Sequence, residues 1–310
     1  MKQSCFYILS LILFLSFNSS CKKDAAVDAT ATLTAPAPTP IYEPKLIFKF
    51  KFDSTQARLN AFGQPSEIPA GNMAFSPIFN KMSAHYIELA PSANTQLGAG
   101  SVLYHAPETS AGGSTAIDFS KSAVKAQNEE FFSIKLKDIT PGTYQWLRVS
   151  LAYQNYDIKY KSGTIYGTGT IASFIGYNTN ITNYVIKTQT IAVNENKLQG
   201  YWGFETNVNG IIYTTSGQSP AGATTVPNPI SFTSPIPFGS CVVTGAFLGN
   251  SGATKPLVLS GNETSDVIIT VSLSTNKSFE WQDANPDGYF EPSAGENVVD
   301  MGIRGMIPIW

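Results

Sequence analysis

The sequence predicts an all-β, antiparallel Greek-key β-sandwich, built as a single large domain with an acidic loop near its C-terminus. Three observations predict it. Several segments alternate apolar and polar residues with a period of two, the pattern of a half-buried strand. Clusters of Gly, Pro, Asn and Ser cut the chain into many short strand-sized runs, the texture of sandwiches and barrels. The 310 residues are 43% hydrophobic and 12% aromatic, enough to fill a large core, and no heptad or long repeat is visible.

Residues 1–20 read as a secretory signal. Lys2 supplies the positive start, Phe6 to Phe17 form an apolar run, and the small residues Ser19 and Ser20 close it. The apolar run is shorter than the roughly 20 residues a spanning helix needs, so no transmembrane helix is expected. Cys21 follows directly, and the order resembles a bacterial lipoprotein signal in which this Cys becomes the lipidated first residue. That resemblance implies an outer-membrane lipoprotein, surface-exposed, whose membrane partner is reached through the lipid. Residues 21–44 then form a tether rich in Ala and Thr with Pro36, Pro38, Pro40 and Pro44, an extended stalk.

The folded domain is expected over 45–310. Phe48, Phe50 and Phe52 share one face of the first strand, and Lys49 and Lys51 the other. His85–Leu89 and Phe132–Lys137 alternate in the same way, and Tyr144–Tyr153 is apolar enough for a sheet centre. Further strands are expected at Ile171–Gly176, Tyr184–Ile191, Gly210–Tyr213, Cys241–Phe247, Pro256–Leu259, Val267–Leu273 and Val298–Met301, with a single helix near Ser120–Glu130. In the turn Asp138–Tyr144, Pro141 fixes a corner and Gly142 tolerates positive φ. Tyr144 is placed to cover the sandwich end and bond backbone with its hydroxyl, as a tyrosine corner does.

Net charge is −2, with 20 basic and 22 acidic residues. That balance lacks the clustered Lys/Arg excess of a nucleic-acid-binding surface, so no nucleic-acid partner is expected. Of three cysteines, Cys5 leaves with the signal and Cys21 carries lipid. Cys241 remains alone in a strand-like run, a buried inert thiol with no disulfide to form.

The sharpest local motif lies in 281–296. Asp283, Asn285 and Asp287 have a 1-3-5 oxygen spacing, and Gly288 stands at the sharp-turn position six. Tyr289 offers a backbone carbonyl at position seven, and Glu291 and Glu296 supply further carboxylates, while position twelve is Ala294. Six acids fall between 280 and 300 with no Lys or Arg among them, so a cation or a distant basic residue must offset their repulsion. A structural Ca²⁺ is the expectation, against a solvated Asx-rich turn.

His85 and His105 are the only histidines. On adjacent strands they could bind Cu or Zn, with Met73 and Met82 as soft additions, although two ligands alone do not make a site. Tyr201 and Trp202, in Gln199–Glu205, could stack on a glycan, as could Tyr153, Tyr156 and Tyr160. Core packing is the competing fate of such rings. No Gly-x-Ser-x-Gly elbow is present, and Gly167-Thr168-Gly169 has no following helix, so nucleophilic and dinucleotide chemistry find no support. A non-enzymatic binding or structural role is expected.

The run from Leu46-Ile47-Phe48-Lys49-Phe50 through Ala84–Leu89 to Leu136-Lys137-Asp138-Ile139-Thr140-Pro141-Gly142-Thr143-Tyr144 resembles the MbnP-like family of secreted or lipid-anchored β-sandwich proteins, of the Bacteroidetes type. The likeness covers about the first half of the mature chain. It implies a β-sandwich and copper binding, with His85 and His105 as the copper ligands. A separate alternative, resting on the aromatic residues, is glycan binding as in accessory lipoproteins of polysaccharide uptake, with a glycan or a cell-surface protein as partner.

Overall fold

Strict alternation at the start of the domain becomes a strand, Lys45–Asp53, that buries Leu46, Phe48 and Phe50 almost completely. Each such side chain contributes about 1.5–3 kcal/mol by leaving water. The computed structural model describes residues 42–60, 64–219 and 234–310, and Tyr42–Trp310 form one compact unit. The signal, Cys21 and the Pro-rich tether lie outside the described residues.

The first strand sits inside a four-stranded sheet. It runs antiparallel to Glu130–Lys135 and parallel to Val267–Ser274, with Met306–Ile309 beyond. This parallel pair is an exception in a mostly antiparallel set of sheets. Period-two alternation shows which face of a strand is buried but not which strand lies beside it. Here the two ends of the domain meet.

This sheet packs on a larger, eight-stranded one. Its main path runs Ile211–Gln218, Tyr201–Val208, Ile165–Phe174, Trp146–Ser162, Ile78–Ala90 and Ser101–His105. Leu147, Val149 and Leu151 from the large sheet meet Phe48, Phe50, Val271 and Leu273 from the small one in a shared core. The architecture is therefore all-β and sandwich-like. The central strand expected at Tyr144–Tyr153 is found as Trp146–Ser162, with Tyr144 ending the short strand Gly142–Tyr144, and every residue from Leu147 to Tyr156 is buried. Register shifts along its pairing with Ile78–Ala90 change which face each residue presents. One strand thereby feeds four hydrophobic clusters: Leu151 the main core, Ala152 a small one with Ala106 and Ile117, Tyr153 another, and Tyr156, Ile158 and Tyr160 a fourth.

Two sequence expectations are corrected. Ser120–Glu130 is not a helix: a single 3₁₀ turn at Phe119–Lys121 is followed by the two-residue strand Lys125–Ala126, and Glu130 already begins the next strand. Local side-chain bonds compete with the helix there. Asp118 Oδ1 accepts from Ser120 N at 3.1 Å, Glu129 Oε2 accepts from Ala126 N at 2.8 Å, and Asn128 adopts φ 66°. Tyr184–Ile191 is not one strand either. It spans the end of Asn178–Val185, a turn, and the start of Thr190–Leu198. Buried Glu205 makes that turn, accepting the amides of Lys187, Thr188 and Gln189 at 2.9–3.0 Å on Oε2.

Two other expectations, for Tyr144 and Cys241, hold. The Tyr144 hydroxyl donates to Thr140 O at 2.7 Å from a buried ring. Cys241 is buried in the Cys241–Ala246 strand, and burial pushes its thiol up to about 12. Among the described residues no helix is long and apolar enough to cross a membrane.

Candidate metal centre

The two histidines come together because their strands are neighbours. Ile78–Ala90 pairs antiparallel with the edge strand Ser101–His105, placing His105 opposite Tyr86, one residue from His85. The chain then turns through Ala106-Pro107, where Ala106 N donates to His85 O at 2.8 Å. It enters a short strand, Glu108–Thr109, of a separate small sheet. The turn swings the Glu108 carboxylate back over both imidazoles. His85 Nε2 lies 2.9 Å and His105 Nε2 3.3 Å from Glu108 Oε1.

These three ligand atoms lie within 4.8 Å of one another, the one such group of His, Cys, Asp and Glu among the described residues. A tetrahedral ion bound at about 2.0–2.1 Å holds its ligands about 3.3 Å apart. The two histidine–carboxylate distances are close to that spacing, so the side chains need little rearrangement to accept an ion. His85 is fully buried, Glu108 mostly so, and His105 is 45% exposed. The cluster therefore has a dry floor and an open side facing solvent, from which an ion and a further ligand can enter.

The surroundings fix the rings. Tyr86 stacks on His105 at 4.3 Å between centroids, Tyr177 stacks on His85 at 5.3 Å, and the Tyr177 hydroxyl donates to Glu108 Oε1 at 3.2 Å. Burial pushes His85 down to about 4, outweighing the opposing pull of the Glu108 carboxylate. At neutral pH its imidazole is uncharged, the form that ligates metals. Burial, aided by Glu108, lifts Tyr86 to about 12 and raises Tyr177 as well, so both phenols keep their protons. His85 Nδ1 is buried without a hydrogen-bond partner. Glu108 is not among the ligands expected from sequence, which were His85, His105, Met73 and Met82. The signal was the His105-x-x-Glu108 spacing, which matters only because a turn folds it over His85. Met82 is buried in the main core and Met73 lies beside Gly288, so neither reaches the cluster.

The C-terminal acidic loop is built differently. Gly288 has the expected positive φ of 77°. Asp283 Oδ2 accepts from Gly288 N at 3.1 Å, and Asp287 Oδ1 from Tyr289 N at 3.0 Å. The Lys161 ammonium, from the central strand, contacts both Asp287 and Glu291. Asn285 Nδ2 donates to Glu291 at 2.9 Å, and Glu296 accepts the amides of Ala284 and Glu291. The repulsion read in the sequence is thus offset by a distant basic residue, and Lys161 holds Asp287 and Glu291 below the usual carboxylate range. Asp283 Oδ1 is left buried and unpartnered. Nearby, Arg58 and Arg304 pair with Glu280, and Arg304 also with Asp300.

The aromatic candidates are mostly core. Tyr153, Tyr156, Tyr160 and Tyr201 are buried, and Tyr201 packs against Phe174 and Tyr184 with Lys197 over its ring. Trp202 is half-buried beside Phe204. No family model matches the chain, and no curated protein or solved structure is significantly similar to it.

Proposed function

We propose that this is a lipid-anchored outer-membrane protein that binds one transition-metal ion, Cu(II) or Zn(II), through His85, His105 and Glu108, and that it is a carrier or sensor of the ion rather than an enzyme. The observation that carries the reading is the convergence of two imidazole nitrogens on one carboxylate oxygen at 2.9 and 3.3 Å, in a pocket open on one side. Two imidazoles and a carboxylate with an open side suit Zn, Cu or non-haem Fe(II), so the donor set alone does not choose the metal. The likeness of the first half of the chain to MbnP-like proteins, some of them linked to copper acquisition, favours copper, and the signal-like start with Cys21 favours the cell surface.

Calorimetric titration tests this. The protein should take up one equivalent of Cu(II) or Zn(II). Glu108→Ala and His105→Ala should each weaken binding more than about tenfold, the low end of what loss of a ligand's supporting neighbour costs. Absence of saturable binding, or binding indifferent to both substitutions, would overturn the proposal.

A further inference from the structure

A second site lies elsewhere in the molecule and shares no residue with the metal cluster. A cavity of about 750 Å³ opens between the outer strands of the large sheet and the segment after the acidic loop. Ile158, Ile171, Trp202, Phe204, Phe290 and Met301 are among its walls. Its size falls in the range of about 300–1,000 Å³ typical of small-molecule sites.

Two of its walls are held in place by glycine. A Cβ on Gly217 would stand 2.7 Å from Trp202 Cζ2, and one on Gly169 2.1 Å from Phe204 Cε2. Each ring therefore occupies the space a side chain on the neighbouring strand would need, which fixes it against the backbone. Such pre-set aromatic surface costs little ordering when a ligand arrives.

Charge narrows the ligand. Among the described residues, Glu296 is the one ionisable residue in the lining. Its two carboxylate oxygens accept the amides of Ala284 at 3.1 Å and Glu291 at 2.6 Å. Among the described residues no Lys or Arg lines the cavity, so an anion finds no counter-charge from them. A sugar would press hydroxyls against Ile158, Ile171, Phe204 and Met301, and a hydroxyl buried without a partner is unfavourable. Hydrogen-bonding side chains gather at the rim, on Thr215, Gln218, Ser219 and Asn297, while the inner walls are apolar.

We propose that this cavity binds an uncharged, largely apolar, ring-bearing small molecule, packed against Trp202 and Phe204 with any polar group at the Thr215 and Asn297 rim. The sequence marked Trp202 for a glycan; the walls around it fit an apolar guest instead.

The test uses the full chain carrying Cys21→Ser, which removes the lipidation site, and the neutral probe N-phenyl-1-naphthylamine. Its fluorescence should rise saturably with one site per chain. Thr215→Trp, an exposed substitution that plugs the rim, should weaken binding at least tenfold without lowering the thermal midpoint. If that variant fails to fold, Asn297→Trp from the opposite rim serves in its place. The anionic analogue 8-anilinonaphthalene-1-sulfonate should bind at least tenfold more weakly than the neutral probe. Lack of saturable binding, binding unchanged in the folded plug variant, or an anionic probe that binds as well would overturn the proposal. So would displacement of the probe by neutral oligosaccharides, which would mark a carbohydrate site. Metal titration is indifferent to each of these results.

Discussion

Replacing His85 with Phe isolates what burying an imidazole beneath Glu108 costs the fold. The ring is fully buried among Tyr86, His105 and Tyr177, and burial takes it from an ordinary 6.5 to about 4. In the unfolded chain His85 takes up its proton near 6.5; in the folded chain it resists until about 4. The unfolded state therefore binds more protons between these values, and stability falls as pH falls through the window. The displacement corresponds to about 3 kcal/mol when fully expressed, near the lower edge. His85→Phe keeps an aromatic ring against Tyr177 but removes the titration. Urea unfolding of both proteins, with chelator present, at pH 7.5, 6, 5 and 4 would measure the difference. The variant should be no more stable than the parent at pH 7.5, and should gain on it by up to about 3 kcal/mol by pH 4. A gap between the two proteins that stays constant across the series would refute the reasoning, because it would mean His85 titrates alike in both states.

Three further outcomes follow from side chains outside the cluster. Glu205→Ala strands the amides of Lys187, Thr188 and Gln189 in a tight turn and should cost about 2–4 kcal/mol in chemical unfolding, since bonds to a charged acceptor are the stronger kind. Tyr144→Phe removes one bond, to Thr140 O, and should cost about 1 kcal/mol, with little change in the pH profile. Lys161→Met leaves Asp287 and Glu291 facing each other without their ammonium. Its thermal midpoint should fall, and added Ca²⁺ should raise the midpoint of this variant more than that of the parent, in which Lys161 already neutralises the loop; equal Ca²⁺ effects would count against that role for Lys161.

Much of the fold was legible because burial in a sheet imposes period two on the sequence. Phe48, Phe50 and their neighbours announce a half-buried strand, and the apolar run after Tyr144 announces a strand covered on both faces. Pairing was not legible. Nothing local in Leu46–Phe52 says that Val267–Leu273 lies parallel beside it, because that contact is made only when the two ends of the domain meet. The failures at Ser120–Glu130 and Tyr184–Ile191 share a cause. In both, side-chain acceptors capture backbone amides and bend the chain, and at the second the acceptor, Glu205, comes from a different strand. The candidate site was half legible. His85 and His105 stand out as the chain's two histidines, and their strands could be guessed to be neighbours. Glu108 became a partner only through the turn at Ala106-Pro107, and Lys161 reaches the acidic loop from far away in sequence. Spacing along the chain reveals ligands within one loop; it is silent on ligands that tertiary structure brings together.

Elemental analysis of the protein purified without chelator, repeated after loading with one equivalent of Cu(II) or Zn(II) and desalting, tests the central claim most directly. The account predicts close to one copper or zinc per chain after loading, lost in a His85→Ala, Glu108→Ala double variant that still unfolds cooperatively. A loaded protein that retains neither metal, or a double variant that retains as much as the parent, would contradict it.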